Sequence, residues 1–364
     1  MSPRLRVPRP RGAAGKVAGL VGAAVGVAAA GLAAGVASER VLVRRLKNDP
    51  ADRYAHEVFD RQRYDEAYEL EMPDGTDIHV EVVEPTRPVA GHPTVVLVHG
   101  FCLDMGTFHF QRKMLADRGD YRVVAYDQPG HGRSGRLETG EYDLAALGRT
   151  LRRVLDEVAP EGPLVLVGHS MGGMTIMALA ELCPELFGDR VVGTVLMATS
   201  GGLAAETKLV APALLGRVGA PVLHMMSNAT RYGGTVIDKA RRSTSNVAWL
   251  LTRRYGFGTP KPSPALVSYV EMMNSRTSAD TVTRYLRTLA THSRFPALAA
   301  LAGTPVLVIV GDKDMITPVT HSEEIVRRLP EAEFVQIHDS GHVVMLEHAD
   351  EVNAALARFL ESLG

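Results

Sequence analysis

The chain has 364 residues, 46% of them hydrophobic and 22% charged, which is ample for a large buried core. Lys plus Arg (40) nearly balances Asp plus Glu (41), and a formal net charge of -1 excludes the basic footprint of a nucleic-acid partner. Only two cysteines, Cys102 and Cys183, are present; they exclude a disulfide-stapled scaffold, match no metal-ligand spacing and are expected as two buried free thiols.

The N-terminus differs from the rest. Arg4, Arg6, Arg9, Arg11 and Lys16 precede an uncharged run of Ala, Gly, Val and Leu over 17–38. At roughly 1.5 Å per residue, about 20 such residues cross a hydrocarbon core, and a basic stretch before an apolar run also describes an export signal. The run is long for a signal and shows no distinct cleavage site. Residues 1–46 are therefore expected to be a membrane anchor, with export as a cleaved protein second and a cytoplasmic Ala/Gly-rich helix or tail as the alternative. Arg40, Arg44 and Arg45 on the far side leave the orientation open.

Residues 47–66 are charged and mixed, and read as a linker. Two β-favouring runs follow at 67–71 and 78–83, split by the turn sequence Pro73-Asp74-Gly75. Short, wholly apolar runs recur at 94–98, 122–126, 164–167, 191–198 and 305–310, the pattern of parallel strands covered on both faces. Between them apolar residues recur at helical spacing: Leu144, Leu147, Leu151, Val154, Leu155 and Val158, then Ile325, Val326 and Leu329, then Val352, Leu356, Phe359 and Leu360. This alternation predicts a doubly wound, mostly parallel α/β sheet with right-handed crossovers. Residues 67–200 and 303–364 are assigned to that core. From 201 to 302 the strand runs stop, and the segment, with Trp249 and the pairs Met225-Met226 and Met272-Met273, is expected to be a helical cap over the strand ends.

The chemistry-bearing motifs sit where strands end. Gly168-His169-Ser170-Met171-Gly172 lies between the strand run at 164–167 and a helical run. A serine hydroxyl is a poor nucleophile unless it is exposed and has a base beside it. A strained strand-to-helix turn supplies the exposure, and glycines let that turn pack. Ser170 is thus the expected nucleophile. Developing negative charge needs backbone N–H donors, expected from Met171 and from Phe101 in His99-Gly100-Phe101; His99 itself reads as a loop brace. Gly311-Asp312-Lys313-Asp314 and Ser340-Gly341-His342 follow two further strand runs, so His342 is the expected base and Asp314 its orienting acid, with Asp312 as the rival.

In this order the motifs resemble the α/β-hydrolase superfamily, in its esterase, lipase and C–C hydrolase branch: His-Gly-Phe at 99–101, Asp127-Gln128-Pro129-Gly130-His131-Gly132-Arg133-Ser134, Gly-His-Ser-Met-Gly-Gly at 168–173, Gly-Asp-Lys-Asp at 311–314 and Gly-His at 341–342. The resemblance runs from about 67 to 363 and implies the fold, a Ser-Asp-His triad, a cap, and no metal or organic cofactor. The expected activity is hydrolysis of a small-molecule carboxylic ester, with a hydrophobic or lipid-like acyl group suggested by the cap methionines. C–C bond hydrolysis, acyl transfer or perhydrolysis by the same triad is the alternative, the first favoured if Arg231, Arg253 or Arg254 grips a substrate carboxylate. A ligand-binding protein without turnover is the non-enzymatic reading, which the complete triad argues against.

Overall fold

The computed structural model describes residues 42–59, 61–137, 140–202 and 246–363. The apolar run at 17–38 lies outside them, and among the described residues no helix is long and apolar enough to cross a membrane. Two compact units are delimited, Met1–Pro50 and Ala51–Gly364; in the first, residues 42–47 are helical.

The second unit is built on eight strands: β1 (Glu66–Glu71), β2 (Asp77–Val83), β3 (Thr94–Val98), β4 (Val123–Tyr126), β5 (Leu164–His169), β6 (Val191–Met197), β7 (Val306–Gly311) and β8 (Glu333–Ile337). They form one sheet in the order β1-β2-β4-β3-β5-β6-β7-β8. β1 and β2 pair antiparallel, as does β2 with β4; every other pair is parallel. The five apolar runs became five adjacent central strands. Val95 to Val98, Leu164 to Val167 and Leu307 to Val310 are fully buried, each side chain contributing about 1.5–3 kcal/mol of burial.

Helices α1 (His109–Arg118), α2 (Leu144–Val158), α3 (Met171–Leu182), α6 (Val319–Arg328) and α7 (Ala349–Glu361) complete the α/β core, and α4 (Pro264–Arg276) and α5 (Ala279–Thr291) belong to the insertion. Asp143 caps α2 by accepting from Ala146 N at 2.6 Å, a site where a carboxylate meets an otherwise unpaired N–H. Gly148 lets α2 approach α3, since a Cβ there would lie 3.1 Å from the Ala178 carbonyl carbon.

The chain leaves the core at Ser200–Gly202 and returns at His292–Arg294, where Gly202 bridges Ser293 and Arg294 N donates to Gly201 O at 2.6 Å. The described part of the insertion is helical: residues 246–256, α4 and α5. Buried Trp249 donates from Nε1 to Ser268 Oγ at 3.0 Å, tying the first of these to α4. Tyr269 of α4 donates to Gly106 O at 2.9 Å, and Tyr285 of α5 donates to Pro129 O at 3.1 Å. The helices are thereby seated on the loops that follow β3 and β4. The stretch read as a linker carries packing residues: Tyr54 lies against Phe110, and Phe59 stacks on Tyr269 with ring centroids 4.4 Å apart.

Candidate active site

The sheet reverses its winding at β3, whose neighbours β4 and β5 lie on opposite sides. Loops leaving β3 and β5 at their C-terminal ends therefore diverge and leave a crevice, the usual ligand position in open α/β sheets. Val98 pairs with Gly168, so the His99–Phe101 and His169–Met171 loops start side by side.

Ser170 stands between β5 and α3 at φ 51°, ψ -117°, a conformation disfavoured for residues with a side chain. The surrounding glycines make the turn possible. A Cβ on Gly172 would lie 1.9 Å from Val98 O, and one on Gly168 would lie 2.6 Å from Gly173 N. The strain is held by Ser170 N donating to Met197 O at 2.9 Å and by Thr199 Oγ donating to Ser170 O at 2.6 Å.

Ser170 Oγ lies 3.0 Å from His342 Nε2, and His342 Nδ1 lies 2.9 Å from Asp314 Oδ2. These three expected residues, from the loops after β5, β8 and β7, form one hydrogen-bonded chain. All three are buried, so the interactions act in a medium poorer than water at screening charge. Asp314 Oδ1 accepts from Ile316 N and Thr317 N at 2.8 and 2.9 Å, which fixes the carboxylate plane and leaves Oδ2 for the imidazole. Asp312 is elsewhere: its Oδ2 meets exposed His338 Nδ1 at 2.7 Å.

Two further groups touch the chain. Thr317 Oγ lies 2.8 Å from Asp314 Oδ2, 2.8 Å from Ala198 O and 3.3 Å from His342 Nδ1. His169 Nε2 donates to the main-chain carbonyl of His342 at 2.9 Å. A carboxylate accepting from the second and third following amides is an ordinary turn and was readable from Asp314 onward. The hydroxyl and the second imidazole were not, because each reaches another loop.

Phe101 and Met171, the residues expected to offer N–H donors, follow the C-terminal ends of β3 and β5. Met171 is the first residue of α3, where the positive end of the helix dipole lies and an N–H has no intrahelical acceptor. Among the described residues neither amide has an acceptor. Gly100 allows the two loops to touch: a Cβ there would lie 2.7 Å from His169 Nδ1 and 3.1 Å from Ser170 Cβ.

His99 is a brace. Its Nδ1 donates to Gly100 O at 2.8 Å, and its Nε2 accepts from Gln128 N at 2.8 Å. Both bonds require the neutral ring, and burial holds its pKa down to about 3. His131, bonded to Pro129 O at 3.0 Å, is likewise held down to about 4 by burial. Asp127 accepts from Met105 N and Arg133 N, both at 2.8 Å; burial and the neighbouring Asp104 push its pKa up to about 7. The Asp127–Ser134 stretch thus shapes the loop after β4.

Among the insertion residues, Met273 is buried and accepts from Thr107 Oγ at 3.8 Å, so it packs insertion on core. Arg253 donates to Pro260 O at 2.7 Å, and Arg254 reaches Met315 Sδ at 2.6 Å. Met225, Met226 and Arg231 lie outside the described residues. Cys102 and Cys183 are free thiols, half-buried rather than buried; burial of its sulfur pushes Cys102 up to about 12. No set of three His, Cys, Asp or Glu side chains among the described residues is grouped as a metal site would require.

The sequence profile of the alpha/beta hydrolase family matches residues 95–355. The chain is 30% identical over 279 residues to the dihydrolipoyllysine-residue acetyltransferase component of the acetoin cleaving system of Pseudomonas putida; the match takes in 74% of this chain and spans 64% of that relative's length. It is 26% identical over 274 residues to the sn-1-specific diacylglycerol lipase ABHD11 of Mus musculus, covering 74% of this chain and 81% of the relative. Among solved structures, a thermophilic esterase from Thermogutta terrifontis matches with a TM-score of 0.62 at 24% identity, over 82% of this chain and 99% of that one, a likeness of fold.

Proposed function

We propose that this chain, which belongs to the alpha/beta hydrolase family, is an ester hydrolase that cleaves small-molecule carboxylic esters of hydrophobic acyl groups through an acyl-enzyme on Ser170. The observation that carries this reading is the unbroken chain of bonds from Ser170 Oγ to His342 Nε2, and from His342 Nδ1 to Asp314 Oδ2.

In this mechanism Ser170 Oγ attacks the ester carbonyl while His342 Nε2 takes its proton. Asp314 holds the Nδ1–H tautomer and stabilises the imidazolium without itself being protonated. The N–H groups of Phe101 and Met171 receive the oxyanion, and one such donor is worth about 2.7–4 kcal/mol in acyl transfer. The imidazolium then protonates the leaving alkoxide, which departs as the alcohol. Water enters, gives a proton to His342 and attacks the acyl carbon, and collapse of the second tetrahedral intermediate frees the acid and restores Ser170.

The acyl preference draws support from the lipase named among the relatives. Met273 gives none, because it serves packing. Membrane anchoring through 17–38 is part of the proposal on sequence grounds and would suit a lipid-like ester.

The test is hydrolysis of p-nitrophenyl esters of increasing acyl length by the protein and its Ser170→Ala variant. Turnover that rises with chain length and disappears in the variant is expected. Turnover surviving the substitution would overturn the assignment of Ser170, and kcat/KM flat or falling with acyl length would overturn the hydrophobic acyl preference.

A further inference from the structure

His342 sits on a loop that is gripped from both sides. On one side lies the Asp314 loop: Lys313 N donates to Ser340 O at 2.9 Å, and a Cβ on Gly311 would lie 2.3 Å from that same oxygen. On the other side lies the insertion segment 256–259, between its first described helix and α4. Val343 N donates to Gly256 O at 3.0 Å, and a Cβ on Gly258 or Gly341 would fall 2.4 Å or 2.5 Å from the facing backbone. Two backbones this close need something to absorb their N–H groups, since an unpaired buried N–H is strongly unfavourable.

Glu347 absorbs them. Its Oε1 accepts from Gly258 N at 2.9 Å and from Thr259 N at 2.8 Å, and its Oε2 accepts from Gly341 N at 2.6 Å and, at 3.0 Å, from the shared Gly258 N. Ser340 Oγ lies 3.5 Å from Oε2. One carboxylate therefore joins the insertion to the peptide immediately before His342. Among the described residues it is held by N–H groups and one hydroxyl and forms no salt bridge, so its geometry follows backbone positions. Burial pushes its carboxyl above the usual range, while the bonds from Gly341, Thr259 and Gly258 pull the other way.

We infer that Glu347 is a positioning residue: it fixes the register of His342 against the insertion, so that the seating of the insertion and the aim of the imidazole at Ser170 are set together. This rests on the serine-hydrolase reading above. Glu347 touches no reacting atom and acts through Gly341 and His342.

The discriminating substitution is Glu347→Gln in the full chain. It keeps the shape but turns one acceptor oxygen into an NH₂ that faces another N–H, so either Thr259 N or Gly341 N loses its acceptor and the shared grip on the two loops is weakened. Three quantities are measured: the rate of phosphonylation of Ser170 by a fluorophosphonate, kcat and KM for a p-nitrophenyl ester, and amide hydrogen exchange. The expected result is a labelling rate and kcat lowered about 10- to 100-fold, the scale of ångström-level misplacement of a reacting group. KM should stay within about twofold, because Glu347 acts through His342 rather than on the substrate. Exchange should quicken together in 256–259 and 340–343. Glu347→Asp, which keeps the charge but shortens its reach, should fall between the two.

Unchanged labelling and kcat with faster exchange confined to 256–259 would overturn the inference and leave Glu347 as an anchor of the insertion alone. If Glu347→Gln does not fold, the wild-type protein decides: the amides of Gly258, Thr259 and Gly341 should share one protection level, and protection differing more than about tenfold between the two loops would overturn the coupling. A wild-type protein that neither labels at Ser170 nor turns over ester would overturn the serine-hydrolase reading itself, and this inference with it.

Discussion

His169 donates from Nε2 to the main-chain carbonyl of His342 across 2.9 Å, and the two rings lie 4.8 Å apart. The residue beside Ser170 thus holds the backbone of His342, the base of the proposed mechanism. Burial and the nearby His342 keep the His169 pKa well below its ordinary value, so the ring stays neutral. In the proposed mechanism, an imidazolium on His342 therefore meets a neutral neighbour rather than a second cation.

Replacing His169 with Phe keeps a planar ring, slightly larger, and removes the donor. The loss of a neutral hydrogen bond that leaves the His342 carbonyl unpaired is worth about 1–3 kcal/mol. We expect kcat to fall about tenfold with thermal stability lowered by only a few degrees, read from ester kinetics beside a melting curve. An unchanged kcat would show that His342 is held without it.

Thr317 makes a sharper case, because its hydroxyl meets Asp314 Oδ2 directly. Thr317→Val is nearly isosteric and deletes a hydroxyl whose one proton is shared between Asp314 Oδ2 and Ala198 O, a bond to a charged group being worth about 1.5–3 kcal/mol. The expected outcome is kcat reduced by about tenfold or more with KM little changed, and Thr317→Ser restoring most of it. Asp314 keeps its two amide donors in all three proteins, so folding should be retained.

Gly172 is the position where a single methyl should be intolerable. A Cβ 1.9 Å from Val98 O collides with backbone rather than with a flexible side chain. Gly172→Ala is expected to destabilise by about 3 kcal/mol or more, at the upper end of overpacking, visible as a lowered denaturant midpoint. Wild-type stability in this variant would mean that the turn relaxes more freely than its φ of 51° at Ser170 indicates.

The buried histidines predict an acid-side loss of stability. His99 is held down to about 3 and His131 to about 4, both by burial, against an ordinary value near 6.5. With folded-state values depressed, the unfolded chain takes up protons that the fold refuses. Their stabilisation is fully present above about pH 6.5 and declines as pH falls toward 4, by up to about 1.4 kcal/mol per unit for each ring. Asp127, raised to about 7 by burial, works in the opposite sense, its contribution being lost as pH rises through 7. Urea midpoints between pH 4 and 8 should trace this profile. A flat acid limb would show that the rings are not held neutral.

Much of the fold was open to a reader of the chain. Five central strands stood out as continuous apolar runs because strands covered on both faces have no polar side to interrupt them. Ser170 and Asp314 could be named because each follows such a run, β5 and β7; His342 follows the mixed, strand-like β8 and stood out by its Gly341-His342 motif. Asp314 and Asp312 stand two residues apart on the same loop, and only the path of that loop sends one to His342 Nδ1 and the other to His338. The methionines left two readings open. Met273 could be read as pocket lining or as packing, and the structure puts it, buried, against Thr107, since composition cannot tell which face of α4 meets that residue.

By itself, then, the sequence determined the strand and helix order, the strained glycine-flanked turn at Ser170, and which loops carry ionisable groups. These are local properties, set by side-chain periodicity and by which residues tolerate a given φ and ψ. What only the tertiary structure decided was contact between distant loops: Thr317 against Ala198 and His342, His169 against the His342 carbonyl, and Glu347 between 258–259 and Gly341. Hydrogen bonds are directional and extend about 3 Å, so whether a hydroxyl or carboxylate serves a neighbouring loop depends on how the sheet aligns its strand ends, and that alignment is written in no single segment.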